Sequence, residues 1–299
     1  MFMETGPASD VFDNSARSYT HIEVRPHAAA MGAEIVGVRL ASLSDAAVAE
    51  VKDALFRHKM VFLRAQDLTD DQQVEFTGRL GPLGVDPYAS EDDPKNFINP
   101  VIKEADDRPP FVFGGGWHTD SAFMERPPAI TTLRAVEAPP YGGDTLWANS
   151  ALAYRALSPM MQRLLAKLRI HMSSKQVLAK YPDLHKVSKG YTNAEVEEQA
   201  LVGSLHPLVR THPVTGEKAL YVSMGYAGKI DGMAQAESDT LVKFLLEHIT
   251  QHAFTCRLKW EAGMFAMWDN RLCLHLAMND YDGFRREMHR TMVKGEVPA

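Results

Sequence analysis

Residues 114–120 read Gly-Gly-Gly-Trp-His-Thr-Asp, and residues 268–275 read Trp-Asp-Asn-Arg-Leu-Cys-Leu-His. Side chains alternate along a strand, so His118 and Asp120 point to the same side. They can grip one metal ion together, and His275, much later in the chain, could add a third ligand from a neighbouring strand. Two histidines and one carboxylate leave open positions on the metal, the arrangement of non-haem Fe(II) oxygenases. The three glycines permit a close backbone approach beside the pair, and Trp117 supplies a rigid wall. His171, His185, His248 and His252 sit in helical or polar contexts and read as surface or core residues.

Outward from these two stretches the chain reads as short strands interspersed with helices. Residues 1–20 look like a flexible tail. Residues 21–40 carry short strands punctuated by Gly32 and Gly37. Ser44 is placed to cap a helix running to about Lys59, and Thr69 with Gln72 has capping-box spacing before a helix that Gly81-Pro82 ends. Residues 60–63, 130–136, 264–268, 272–276 and 290–293 read as strands, and another begins at Thr145. Residues 254–260 alternate as a half-buried strand does. Asn149 and Ser158-Pro159 start two more helices. In the second, Met160, Met161, Leu164, Leu165 and Leu168 form a stripe that reads as core packing. Residues 213–216 form a hairpin turn, and a helix is expected from Ser238 to Thr250. The expected fold is mostly β with helices: a double-stranded β-helix, or jelly roll, decorated with α-helices as one domain over residues 21–299. Two weakly patterned segments, 84–116 and 172–203, read as candidate lids.

Composition narrows the function. The chain has 299 residues, 45% of them hydrophobic, enough for a sizeable core. A net charge of −6 argues against a nucleic-acid partner and leaves room for a locally basic pocket. No signal peptide or membrane span is expected. Cys256 and Cys273 read as buried thiols of a cytoplasmic protein.

The segment Trp268-Asp269-Asn270-Arg271-x-x-x-His275-x-Ala277, followed by Asp280-Tyr281 and Arg286-x-x-His289-Arg290, resembles the C-terminal signature of the taurine dioxygenase / 2,4-dichlorophenoxyacetate dioxygenase family. Trp117-His118-Thr119-Asp120, Pro127-Pro128-Ala129, Gly142-Gly143-Asp144-Thr145 and the block from His206 to Val222 resemble its other motifs, in the family's order. The resemblance implies Fe(II) held by His118, Asp120 and His275, with 2-oxoglutarate and O2 as co-substrates. It implies that Arg286 and Thr145 hold the distal carboxylate of 2-oxoglutarate, a role that suits a guanidinium fork. Arg290 would share a strand face with Arg286 and meet the co-substrate or an anionic substrate. Asp120 argues against the halogenating relatives, which carry a small residue at this ligand position.

Taurine enzymes place a His and an Asn near the sulfonate, where this chain has Asp86 and Gly114. A carboxylate there would repel a sulfonate, so taurine is not the expected substrate. Leu178 and Tyr226 match substrate-pocket positions. The expected reaction is hydroxylation of a C–H bond in a small organic acid of aryloxyalkanoate, alkyl sulfonate or sulfate-ester type, releasing succinate and CO2. Three other readings stay open: a biosynthetic hydroxylase or desaturase of a larger metabolite, a non-catalytic metal-binding jelly roll, and a zinc hydrolase. The family suggests a homodimer or tetramer.

Overall fold

Capping chemistry sets the helices. In α1 (Asp45–His58) the Ser44 hydroxyl accepts the Ala47 N–H, and α1 stops where Lys59 turns to φ 67°. In α2 (Asp70–Leu80) Thr69 and Gln72 exchange both bonds of a capping box. Asn149 caps α3 (Ser150–Arg155) and Ser158 caps α4 (Pro159–Leu165). α5 spans Ala194–Val202 and α6 spans Gln235–Ile249. The computed structural model describes residues 12–87, 97–108, 114–175, 177 and 194–299. Leu178, and much of both candidate lid segments, lie outside the described residues.

The strands follow in chain order. The first seven are β1 (Glu23–Pro26), β2 (Ala33–Val36), β3 (Met60–Leu63), β4 (Leu83–Gly84), β5 (Asn99–Lys103), β6 (Ile130–Glu137) and β7 (Thr145–Asn149). Then come β8 (Arg169–Met172), β9 (Ser204–Pro207), β10 (Val209–Thr211), β11 (Lys218–Leu220) and β12 (Ala227–Ile230). The last four are β13 (Thr255–Leu258), β14 (Phe265–Asp269), β15 (Cys273–Ala277) and β16 (Arg286–Val293). The main sheet has the order β1-β2-β3-β14-β6-β16-β4, with β5 also paired to β16. Every pair in it is antiparallel except β2 with β3. A smaller sheet, β13-β7-β15, faces it, and His118 bridges to His275 at its β15 edge.

Alternation along the strands sorts side chains into two apolar layers. Phe265 and Met267 of β14 pack outward with Val51 and Leu55 of α1 and Phe76 of α2. Ala266 and Trp268 point inward, toward Trp147, Ala148 and Leu274 of the smaller sheet. The edge-to-face contact of Trp147 with Trp268, at 5.7 Å, joins the two sheets. This is the jelly roll with helical decoration that the strand pattern predicts. Cys256 and Cys273 are buried free thiols, and burial pushes the Cys256 thiol up to about 12. Among the described residues no helix is long and apolar enough to cross a membrane.

Three expectations need correction. Residues 12–20, read as part of a flexible tail, are held on α1: Arg17 and Tyr19 bond Asp53, while buried Asn14 bonds His58, Ala28 and Gly32. The α4 stripe is only half core. Leu165 is fully buried, with Met161 and Leu168 against the core, whereas Met160 and Leu164, four residues apart on the outer side, are 69% and 46% exposed. The last helix starts at Gln235, ahead of Ser238, because the Ser238 hydroxyl accepts the Ile230 N–H and caps nothing.

Two buried histidines make stability depend on acid. His58 and His206 are both pushed down to about 4, chiefly by burial. The unfolded chain takes up these protons near pH 6.5, whereas the folded chain refuses them until about pH 4. Folded stability therefore falls as pH drops through that window, and the buried site histidines of metal-free protein act in the same direction. The melting temperature of metal-free protein should decline by several degrees from pH 6.5 to pH 4, and less steeply in His58→Gln. A melting temperature that stays flat across the window would refute this.

Candidate metal centre

The two ligand-bearing segments meet through their backbones. His118 N donates to His275 O at 2.9 Å, and His275 N donates to His118 O at 2.7 Å. The pairing sets the imidazoles side by side, with ring centroids 4.1 Å apart. Asp120 Oδ1 lies 3.9 Å from His118 Nε2 and 3.7 Å from His275 Nε2, spacings that one divalent cation can bridge. Among the described residues this is the one His/Cys/Asp/Glu cluster with such spacing.

Surrounding contacts aim the three donors. His118 Nδ1–H donates to Gly116 O at 2.7 Å, leaving Nε2 with its lone pair toward the cluster. Asp120 Oδ2 accepts the Thr131 hydroxyl at 2.6 Å, which turns Oδ1 toward the histidines. Asn270 ties the assembly: its Nδ2 donates to Thr131 Oγ1 at 2.8 Å, its carbonyl accepts the Thr119 hydroxyl at 2.8 Å, and its Oδ1 accepts Trp268 Nε1–H at 3.0 Å. The His275 ring lies 4.7 Å from that of Trp268. Gly114 has φ +81°, a conformation that favours glycine, and a Cβ there would crowd His118 Cε1 at 3.2 Å.

Electrostatics prepare the donors for a cation. Burial pushes both imidazoles down, His275 to about 3 with help from His118, so both are neutral ligands near neutral pH. Burial works against ionising Asp120. The His275 and His118 imidazoles, Arg290 and the Thr131 hydrogen bond more than offset it, and the carboxyl sits below its ordinary range.

β16 brings Arg286, Met288 and Arg290 to one buried face, as their spacing predicts. Arg286 is 6% exposed and its Nε has no hydrogen-bond partner. Among the described residues no carboxylate lies within ion-pair distance of it. Burial pushes even this guanidinium down, partly offset by Tyr281 and Asp144. Its Cδ would sit 3.2 Å from a Cβ on Gly143, in the turn that leads to Thr145. Thr145 is buried; its oxygen accepts Trp260 Nε1–H at 2.9 Å, so its own hydrogen can point elsewhere. A buried guanidinium with no carboxylate at ion-pair distance among the described residues suits the carboxylate of a small acid.

The substrate-side expectations fare differently. Asp86 is not a bare negative charge: it is bound by Arg290, with Nη2–Oδ2 at 2.5 Å, and by Asn99 at 2.8 Å. The expected repulsion of a sulfonate by Asp86 alone is thereby corrected, since Arg290 balances it. Tyr226 belongs to the core, its ring 5.4 Å from Phe123. Sequence reasoning missed Thr131 and gave Asn270 no role. A signal for Thr131 exists in Ile130-Thr131-Thr132-Leu133, since a threonine in a strand buried on both faces must find a polar partner.

Comparison with known proteins places the chain. The model of the family described as "Taurine catabolism dioxygenase TauD, TfdA family" matches residues 23–292. An alpha-ketoglutarate-dependent sulfate ester dioxygenase of Pseudomonas putida is 36% identical, over 93% of this chain and 91% of its own; alpha-ketoglutarate is 2-oxoglutarate. The crystal structure of a taurine dioxygenase from Burkholderia xenovorans superposes with TM-score 0.77 at 37% identity, over 94% of this chain and 93% of that one. That of AAD-2 in complex with Mn(II) and N-oxalylglycine gives TM-score 0.74 at 30% identity, over 93% of this chain and 99% of that one. The chain belongs to the TauD/TfdA family and is an alpha-ketoglutarate-dependent dioxygenase.

Proposed function

We propose that His118, Asp120 and His275 hold Fe(II), that Arg286 and Thr145 anchor 2-oxoglutarate, and that the enzyme hydroxylates a small organic acid of sulfate-ester, sulfonate or aryloxyalkanoate type. The observation that carries this reading is the pairing of two neutral imidazoles and one carboxylate with a buried guanidinium that no carboxylate of the described residues matches. A purely structural metal site has no use for Arg286. Iron(II) with 2-oxoglutarate and O2 supplies, when bound, the oxidising power for the C–H bond, and the co-substrate leaves as succinate and CO2. The protein's part is to fix the ligands, leave positions open on the metal and orient both acids. Thr131 and Asn270 keep Asp120 pointing one oxygen at the metal. Arg290, whose Nη1 lies 3.6 Å from Asp120 Oδ1, sets a cation beside the metal where an anionic substrate could meet it. The P. putida relative's sulfate-ester activity supports the substrate class. Homodimer or tetramer assembly and a cytoplasmic setting belong to the same proposal, read out by light scattering and by cell fractionation.

The test is succinate release from 2-oxoglutarate with added Fe(II), screened over alkyl sulfates, alkyl sulfonates and aryloxyalkanoates. Substrate-stimulated, O2-dependent release is expected. Turnover that persists without O2 would point to a hydrolase, and turnover with none of these acids would exclude the substrate class.

A further inference from the structure

Asp86 and Arg290 form a buried ion pair at the edge of the metal site, and the proposed reaction makes no use of the carboxylate. The backbone dictates the pairing. β4 runs antiparallel to β16 with Gly84 opposite Met292, so Asp86, two residues on, comes level with Arg290. On β5, Asn99 lies directly opposite Arg290. Arg290 Nε and Nη2 donate to Asp86 Oδ2 at 2.8 and 2.5 Å, and Asn99 Nδ2 donates to the same oxygen at 2.8 Å. Asp86 is 4% exposed and Arg290 7%. Arg290 Nη1 lies 3.6 Å from the Asp120 oxygen aimed at the metal, so a molecule bound on that side meets an arginine that already has a counter-ion.

Taking the site as the oxygenase centre proposed above, we propose that Asp86 determines specificity, as the resident counter-ion that the anionic head of a substrate must displace from Arg290. With Asp86 an incoming anion must exchange for a carboxylate. Sulfate, sulfonate and carboxylate heads can do this, because each offers a full charge and two or more oxygens to a guanidinium fork. An uncharged head cannot, because it brings no charge to replace the carboxylate it would have to move off Arg290. Asn99 can keep its bond to the displaced Asp86, which limits the cost of the exchange. Selection thus comes from what the pocket refuses as well as from what it binds.

Calorimetric titration of the Fe(II)- and 2-oxoglutarate-loaded protein under nitrogen tests this, with hexyl sulfate and its uncharged counterpart hexyl methyl sulfone as probes. Asp86→Asn keeps the shape and removes the charge. It should tighten hexyl sulfate by about tenfold or more and let the sulfone bind, which the wild type refuses. Unchanged or weaker hexyl sulfate binding, or none to either protein, overturns the proposal. Should the variant fail to fold, a crystal structure of the wild-type complex with hexyl sulfate decides. Sulfate on Arg290 with the Asp86 contact opened is the expected result, and an intact contact overturns it. The weak visible charge-transfer band expected of anaerobic Fe(II) plus 2-oxoglutarate reports on the oxygenase reading separately: its absence, with metal bound, sinks that reading, whereas an anion affinity indifferent to Asp86 sinks this one.

Discussion

Arg286→Met is expected to weaken 2-oxoglutarate binding by roughly 10²–10³-fold, about 3–4 kcal/mol, the scale for removing one partner of a buried charge pair. The same substitution should raise the melting temperature of the unliganded protein. Arg286 is 6% exposed, its Nε has no partner, and burial pushes its ionisation down more than Tyr281 and Asp144 restore it, so the folded protein without 2-oxoglutarate carries a buried charge that is only partly compensated. Methionine keeps much of the length and apolar bulk without the charge. Opposite signs on affinity and stability are the mark of a group kept for a ligand. Equilibrium titration with 2-oxoglutarate under nitrogen and a thermal melt of the same sample check both. A variant that binds 2-oxoglutarate like the wild type, or is less stable without it, would assign Arg286 to the scaffold.

Asp120→Ala should abolish both bound iron and turnover, the latter to below about one-thousandth of the wild type. Its carboxylate is the point where three parts of the site converge. Oδ1 faces both histidines at 3.7 and 3.9 Å, Oδ2 holds the Thr131 hydroxyl, and Arg290 Nη1 stands 3.6 Å away. Alanine leaves two neutral imidazoles and no anionic donor, which is too little to hold Fe(II) unless a halide takes the place of the carboxylate, as in the halogenating relatives, so the protein is loaded without halide. The fold should survive, because the backbone bridge between His118 and His275 needs no carboxylate. Iron analysis after anaerobic loading, succinate release and circular dichroism together check this. Turnover within tenfold of wild type in a folded variant would remove Asp120 from the ligand set.

Local signals were readable and pairings were not. Ser44, Thr69 with Gln72, Asn149 and Ser158 each cap a helix within three residues, so a short window of sequence contains the whole interaction. His118 with Asp120, and Arg286 with Arg290, share a face through alternation alone, which again needs only a few residues. The Asp86–Arg290 pair joins residues 204 apart, and it follows from strand register that no local pattern encodes. Gly114 shows the same limit. Its absent side chain was visible, but its reason, a Cβ 3.2 Å from His118 Cε1, is a tertiary distance. The start of the last helix was missed by three residues because its first turn, Gln235-Ala236-Glu237, precedes the apolar stripe that marks the helix.

The strand order has a consequence for biosynthesis. β14 lies between β3 and β6, and β16 lies between β6 and the β4 edge, so strands made late in translation fill central places in the main sheet. While the ribosome is still working, β3 and β6 emerge with no neighbour to share, their hydrogen-bonding edges bare. Such edges are templates for pairing with other chains. Because His275 arrives on β15 and both site arginines on β16, the ribosome-bound chain has no complete metal site until β15 has emerged and no arginine pair until β16 follows.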